Sequence, residues 1–220
     1  MQKLTRRRVS MMLLGNLFIG LAVALLRISM LGTDPFSTMN LGVSGFLDVS
    51  FAIYQLGWNA ILFVIVLLFY KELIGLGTIV NMVGIGFISD FFVYHFLQYF
   101  GDLSVLPIRM TMMTLAVLVI SLGVALYITP ELGMAPYDSL AFVIKKVTNN
   151  KISFAYARVI TDITCVVVGF SLGATVGIAT VISAFCIGPF VQYLRKNVTE
   201  PMLAKEAKTL TGKIPAHKTQ

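Results

Sequence analysis

Long runs of apolar residues separated by short polar stretches make up most of this chain. Two windows, Met110–Pro130 and Ile163–Leu194, contain no charged residue at all. A helix rises about 1.5 Å per residue, so roughly 20 residues cross a hydrocarbon core of about 30 Å. The pattern predicts six membrane-spanning helices: Met11–Ser29, Ile53–Tyr70, Ile74–Phe96, Ile108–Thr129, Phe154–Leu172 and Ala174–Leu194.

The two halves of the chain resemble each other at four places that follow the same order. The clearest match pairs Leu31–Phe36 (LGTDPF) with Leu132–Tyr137 (LGMAPY), about 101 residues later. Three further matches flank it: Leu21–Leu25 with Leu122–Leu126, Ser50–Ala52 with Ser153–Ala155, and Gly75–Val80 with Gly177–Ile182. A single match arises easily by chance in so apolar a chain, whereas four in order indicate an internal repeat of three spans.

A unit of three spans that is repeated in tandem must insert its second copy upside down. The predicted fold class is therefore all-α: a polytopic membrane helical bundle of about six spans, built as two inverted three-span repeats. Each repeat also has a segment of about twenty residues after its first span, near whose start lies Pro35 or Pro136. Proline suits a first helical turn, and Asp34 or Thr33 can cap the first copy. Each segment thus predicts a short helix, either re-entrant or interfacial.

Composition supports a membrane protein and excludes a soluble domain. Hydrophobic residues make up 57% of the chain and charged residues only 12%, against about 25% charged residues in a typical soluble domain. The net charge of +7 does not indicate nucleic-acid binding. The basic residues stand in short clusters between apolar segments, where they set membrane topology.

The positions of the basic residues predict that both termini lie in the cytoplasm. With that orientation, of the 17 Lys and Arg residues, only Arg109 falls outside, while Arg27 and Arg158 fall within spans. The predicted location is the cell membrane, with several passes. We expect one transmembrane domain at 1–197, with repeat one at about 11–97 and repeat two at about 108–197, and a polar cytoplasmic tail at 198–220.

Two motifs give the chain a family resemblance. The run Leu31–Ser37 (LGTDPFS) after the first span and the run Gly75–Asn81 (GLGTIVN) in the third resemble the YczE/YyaS/YitT group of bacterial membrane proteins, and its YczE branch most. The resemblance extends to about Leu194. It implies a bacterial cytoplasmic membrane protein and indicates the fold class more than a substrate. The second repeat has Ala135 and Asp138 in place of Asp34 and Ser37, so two identical sites are not expected.

The fifth span carries the strongest candidate site. Arg158 and Asp162 are spaced i,i+4 on one helical face, and charges at this depth usually face a bundle interior or water. The equivalent positions in the first repeat are Gln55 and Asn59. One interpretation is a polar site shared across the pseudo-two-fold axis, with Asp162 as a proton carrier. The other is a self-neutralised ion pair near the cytoplasmic interface, with Arg158 snorkelling.

Other candidate solute-binding residues are dispersed along the chain. Asp34 and Asp138 lie at the starts of the short helices, whose N–H groups suit an anion, although ordinary surface helices are the favoured alternative. Arg27, late in the first span, is expected to snorkel or to pair with Asp34 or Asp90. Asn81 shares a face with Thr78 in a Gly-rich span, where helix packing is the favoured role.

No enzyme motif, metal-ligand cluster or cofactor motif stands out in the sequence, so we expect no enzyme, no metal and no cofactor. The leading hypothesis is a secondary transporter or permease of a small polar solute. The alternative is a non-transporting membrane component, such as a solute-binding subunit or an accessory partner of another membrane complex. The expected partners are membrane lipid, a small polar or anionic solute and, as a homo-oligomer, further copies of the chain, but not nucleic acid.

Overall fold

The computed structural model describes residues 4–101 and 105–204, and this part of the chain is helical. Within these ranges, six helices are long and apolar enough to cross a membrane, which confirms the predicted number of spans. Two shorter helices follow the first and fourth of them, as the sequence predicted. The eight α-helices in the described ranges are α1 Arg6–Ser29, α2 Pro35–Phe46, α3 Phe51–Tyr70, α4 Leu76–Phe100, α5 Leu106–Ile128, α6 Pro136–Val147, α7 Phe154–Ser171 and α8 Ile178–Leu194.

Side-chain caps explain where several of these helices begin. Asp34 accepts a hydrogen bond from the backbone N–H of Ser37 at the start of α2, as one of the two predicted caps. Ser50 and Ser153 do the same for α3 and α7. Each cap satisfies an N–H group that the helix leaves without an intrahelical partner.

The centre of the bundle is the crossing of α1 and α5. A Cβ atom on Gly15 would lie 2.6 Å from the backbone nitrogen of Tyr127, and one on Gly123 would lie 2.9 Å from the carbonyl oxygen of Gly15. The two backbones therefore approach as closely as glycine allows, which is the usual way for helices to gain contact inside a membrane. Helix α4 packs on α1, and α8 packs on α5.

Both short helices are packed among the long ones. Helix α2 lies against α7, where an added Cβ on Gly42 would collide with the carbonyl oxygen of Gly169. Helix α6 lies against α3 and α7 and fully buries Ser139. Only its last turn is exposed, at Lys145 and Lys146.

We call the end of the bundle where α1 begins the near end, and the end where α1 finishes the far end. At the near end, the N–H of Gly77 donates to the carbonyl of Leu132 at 2.8 Å. At the far end, the N–H of Ala179 donates to the carbonyl of Leu31 at 3.0 Å. Each bond joins the start of a long helix to the segment that precedes a short one.

The chain stays helical beyond the point at which the sequence predicted a polar tail. A π-helical turn at Arg195–Thr199 follows α8, and the helix continues to residue 204. Thr199 is buried, with its hydroxyl 2.6 Å from that of Thr129. The rest of the predicted tail, 205–220, lies outside the described residues.

Candidate functional site

The N-terminal ends of α2 and α6 meet inside the bundle. The rings of Phe36 and Tyr137 stack there, with centroids 4.3 Å apart and planes inclined by 21°. Gly32 and Gly133, in the segments before the two short helices, have φ angles of 103° and 116°, which glycine adopts without strain. The two segments thus bring the short helices toward each other from opposite ends of the bundle.

An ionic cluster lies beside this meeting point. The Arg158 guanidinium donates to Asp138 at 2.7 Å and to Asp162 at 3.2 Å. It also lies over the Tyr137 ring, 4.7 Å from its centroid, and the Tyr137 hydroxyl donates to the other oxygen of Asp162. One arginine therefore connects α6 with α7 through two carboxylates and an aromatic ring. We call Tyr137, Asp138, Arg158 and Asp162 the ionic cluster.

The ionic cluster is partly open. The side chains of Arg158 and Asp138 are 34% and 33% exposed, and that of Asp162 is 19% exposed. These three charged side chains are therefore not sealed inside the bundle, as a fully buried ion pair would be.

Asp34 adds a third carboxylate near the cluster, close enough to interact electrostatically with Arg158 and Asp162. One of its oxygens caps α2, and the other is buried without a hydrogen-bond partner in the described chain. Burial raises the pKa of the Asp34 carboxyl above its usual range. Burial likewise raises the pKa of the Tyr137 phenol, so this hydroxyl stays a hydrogen-bond donor.

The residues that the sequence alignment of the two halves pairs with Arg158 and Asp162 are neutral. Gln55 and Asn59 are buried in α3, at 3% and 2% exposure. Within the described ranges, no hydrogen bond joins either of them to the ionic cluster, and the Gln55 carbonyl oxygen has no partner. The structure therefore places the four polar positions of α3 and α7 in two separate environments, one ionic and one neutral.

Arg27 pairs with Asp90, the second of the two partners predicted for it. The guanidinium donates to the Asp90 carboxylate at 2.6 Å and to the Ser89 hydroxyl at 2.9 Å. The other Asp90 oxygen accepts from the backbone N–H of Ala52 at 3.0 Å. Asp90 thus holds the first turn of α3 and Arg27 together at the far end, apart from the ionic cluster.

Asn81 donates to the side chain of Asn16 at 2.9 Å in a buried contact between α1 and α4. This agrees with the packing role favoured for Asn81. Sequence reasoning missed the bond between Asp138 and Arg158, because 20 residues separate them and helical spacing gives no signal. It missed Tyr137 as a partner of Asp162 for the same reason.

The described residues contain no group of three or more His, Cys, Asp or Glu side chains that could hold a metal ion. The site brings together one guanidinium, three carboxylates and a phenol beside the starts of α2 and α6.

These features define a multi-pass helical membrane protein with an ionic cluster among its helices. The chain belongs to DUF6198, a family of unknown function that matches residues 6–196. It is 29% identical over 191 residues to an uncharacterized protein of Haemophilus influenzae, across 85% of this chain and 83% of that protein.

The chain is also 27% identical over 118 residues to the uncharacterized membrane protein YczE of Bacillus subtilis. That match covers 54% of this chain and 52% of YczE, and it confirms the resemblance to YczE-type proteins. No solved structure matches the chain.

Proposed function

We propose that this protein is a secondary transporter, or permease, of a small polar solute in the bacterial cell membrane. The observation that carries the proposal is the ionic cluster beside the meeting N-terminal ends of α2 and α6. Ionisable groups inside a membrane bundle are costly and usually mark solute or ion pathways. Short helices whose N-terminal ends point toward a central site are typical of transporters.

We further propose that the bundle is an inverted repeat with both termini in the cytoplasm, so that the near end is the cytoplasmic one. Equivalent contacts on the two sides support this. Phe36 stacks on Tyr137, its own counterpart in the repeat. The near-end bond from Gly77 to Leu132 has its counterpart in the far-end bond from Ala179 to Leu31. Rocking of one repeat against the other would expose the central site to each side in turn.

Within this mechanism, the residues of the ionic cluster have distinct roles. Arg158 already holds two carboxylates, those of Asp138 and Asp162. It either binds an acidic group of the solute or frees one of these carboxylates to accept a hydrogen bond from the solute. Asp162 is the proposed proton carrier, because movement of Arg158 to a bound solute would leave the Asp162 carboxylate without its cation. The Tyr137 hydroxyl also contacts this carboxylate. Asp34, whose second oxygen has no partner, is positioned to accept a donor from the solute.

Uptake into proteoliposomes tests the proposal. The full chain is reconstituted, and uptake of radiolabelled amino acids, carboxylates, sugars and nucleosides is measured with and without a proton gradient. We expect at least one class to accumulate above empty liposomes, and Asp162→Asn to lower that uptake at least tenfold. Asp48→Asn is the matched control, because Asp48 is an exposed carboxylate in a far-end turn and should leave uptake unchanged.

The alternative function gives a different result. A solute-binding subunit or accessory partner would show no uptake of any class, and it would copurify with a defined membrane complex.

Equal uptake by wild type and Asp162→Asn would show that the ionic cluster is structural, and the role proposed for Asp162 would be wrong.

A further inference from the structure

A cavity of about 580 Å³ opens at the far end of the bundle. It lies between the last turns of α1 and α4, the first turn of α5, helix α2 and the loop between α7 and α8. Its volume falls within the usual range of roughly 300–1,000 Å³ for small-molecule sites. The residues of its wall that matter for binding are Arg27, Arg109, Leu41, Val93, Leu97 and Thr175.

Arg109 contributes charge to the cavity without an ion-pair partner in the described chain. Its guanidinium donates to the backbone carbonyl oxygens of Ser29 at 2.6 Å and of Met30 at 2.8 Å. An arginine side chain has five N–H donors, so N–H groups remain available to an anion. Arg27 is the second guanidinium of the wall, and Asp90 is its carboxylate partner.

The net charge of the cavity wall follows from these groups. Two guanidiniums and one carboxylate leave an excess of one positive charge. The C-terminal end of α1 and the N-terminal end of α8 meet here, where Ala179 donates to Leu31. Their opposite helix dipoles offset each other, so the guanidiniums determine the charge. The rest of the wall is largely apolar, including Leu41, Val93 and Leu97.

We propose that this cavity binds an anion that carries an apolar group, with its carboxylate or phosphate head at Arg109 and its apolar part against Leu41, Val93 and Leu97. Arginine suits this head, because its planar N–H donors match carboxylate and phosphate oxygens. The anion is either a free organic anion or the headgroup of an anionic phospholipid. The inference deepens the proposed function by naming a solute class. It rests on the proposed function in one respect only, namely that a free anion bound here is then transported across the membrane.

Equilibrium binding tests the cavity separately from transport. The full chain is placed in nanodiscs of zwitterionic phosphatidylcholine, and hexanoate is titrated by calorimetry against empty nanodiscs. We expect saturable binding of hexanoate and none of hexanamide, which has the same apolar chain without the charge. Arg109→Gln should weaken hexanoate binding at least tenfold, while Arg109→Lys should weaken it only a few fold.

Two further variants separate binding from folding. Arg8 is the counterpart of Arg109 in the repeat and donates to the carbonyl oxygen of Pro130 at the near end. Arg8→Gln therefore removes a similar contact to a helix end and should leave hexanoate binding unchanged. Thr175 is an exposed residue of the cavity wall, so Thr175→Asp adds a repelling charge without disturbing the core and should weaken binding.

The second arm uses nanodiscs that contain phosphatidylglycerol, followed by native mass spectrometry. Phosphatidylglycerol retained by wild type and lost from Arg109→Gln, together with exclusion of hexanoate, would assign the cavity to a lipid headgroup. Hexanoate binding that persists in these nanodiscs would assign it to a free anion. Binding of neither probe, binding of hexanamide as tight as that of hexanoate, or wild-type affinity for hexanoate in both Arg109→Gln and Thr175→Asp would overturn the proposal. Binding without uptake would overturn only the proposed transport.

Discussion

At the scale of single residues, the ionic cluster shows how one arginine can serve several partners. Arg158 holds Asp138 on α6 and Asp162 on its own helix. Removing it leaves two carboxylates without a cation in a setting of low dielectric constant. Breaking a fully buried ion pair costs about 3–5 kcal/mol. About a third of the Arg158 side chain is exposed, and solvent screening lowers that cost.

We therefore expect Arg158→Gln to lower the free energy of unfolding by about 1–3 kcal/mol. The variant with Asp138→Ser, Arg158→Gln and Asp162→Asn reproduces the neutral Ser37, Gln55 and Asn59 of the first repeat, and it should recover most of that loss. Denaturation in detergent, followed by circular dichroism, measures both effects.

Solute uptake by the triple variant then separates two roles of the ionic cluster. A structural cluster predicts a stable and active triple variant, whereas a solute- or proton-binding cluster predicts a stable and inactive one. If Arg158→Gln is as stable as wild type, water or lipid headgroups already compensate these charges, and the cluster does not hold α6 to α7.

At the scale of helices, the contact between α2 and α7 depends on two glycines. An added Cβ on Gly42 would collide with the Gly169 backbone, and one on Gly169 would collide with the carbonyl oxygen of Thr38. Both obstacles are backbone atoms, so side-chain motion cannot relieve them. The alignment of the two halves pairs Gly42 with Val143 of α6 and Gly169 with Val66 of α3, and both valines are bulkier than glycine. The short helix α2 is thus held more closely than α6.

Gly42→Ala should therefore destabilise the protein by about 1–3 kcal/mol, as overpacking usually does. Gly45→Ala is the matched control in the same helix, because nothing lies within 4 Å of a Cβ built there. It should be neutral or stabilising by up to about 1 kcal/mol, since alanine favours helix over glycine. The midpoint of thermal unfolding of each variant measures the difference. Equal midpoints for the two variants would show that α2 is not packed tightly on α7.

At the scale of the whole molecule, the proposed orientation determines which solution each site faces. The far-end cavity then opens to the outside, and the last turn of α6, with its exposed Lys145 and Lys146, lies in the cytoplasm. The far-end Arg109 is the exception to the positive-inside rule. Its hydrogen bonds to the carbonyl oxygens of Ser29 and Met30 join the first turn of α5 to the end of α1.

Cysteine labelling in intact cells checks this orientation. Thr175→Cys at the far end should react with a membrane-impermeant maleimide, and Glu72→Cys at the near end should react only after the cells are permeabilised. Both positions are exposed, so failure to react reports sidedness rather than burial. A cysteine-free background removes the native Cys165 and Cys186. Labelling of Glu72→Cys in intact cells would reverse the orientation.

The class of protein, the six spans and the two short helices could all be predicted from the amino-acid sequence. Membrane spans can be predicted because each must be apolar over its whole length. The short helices can be predicted because proline with a capping residue marks a helix start whatever surrounds it. The pairing of Arg158 with Asp162 was also legible, since residues four apart share a helical face.

Which distant groups meet could not be predicted from the sequence, because it depends on how the helices pack. The bond from Arg158 to Asp138, the stack of Phe36 on Tyr137 and the cavity at Arg109 each join residues from different helices. Hydrophobicity along the chain records how deeply a residue lies in the membrane, but not which helix it faces. Which helix a residue faces depends on close backbone contacts, such as that of Gly42 with Gly169. These contacts form only when the whole bundle packs.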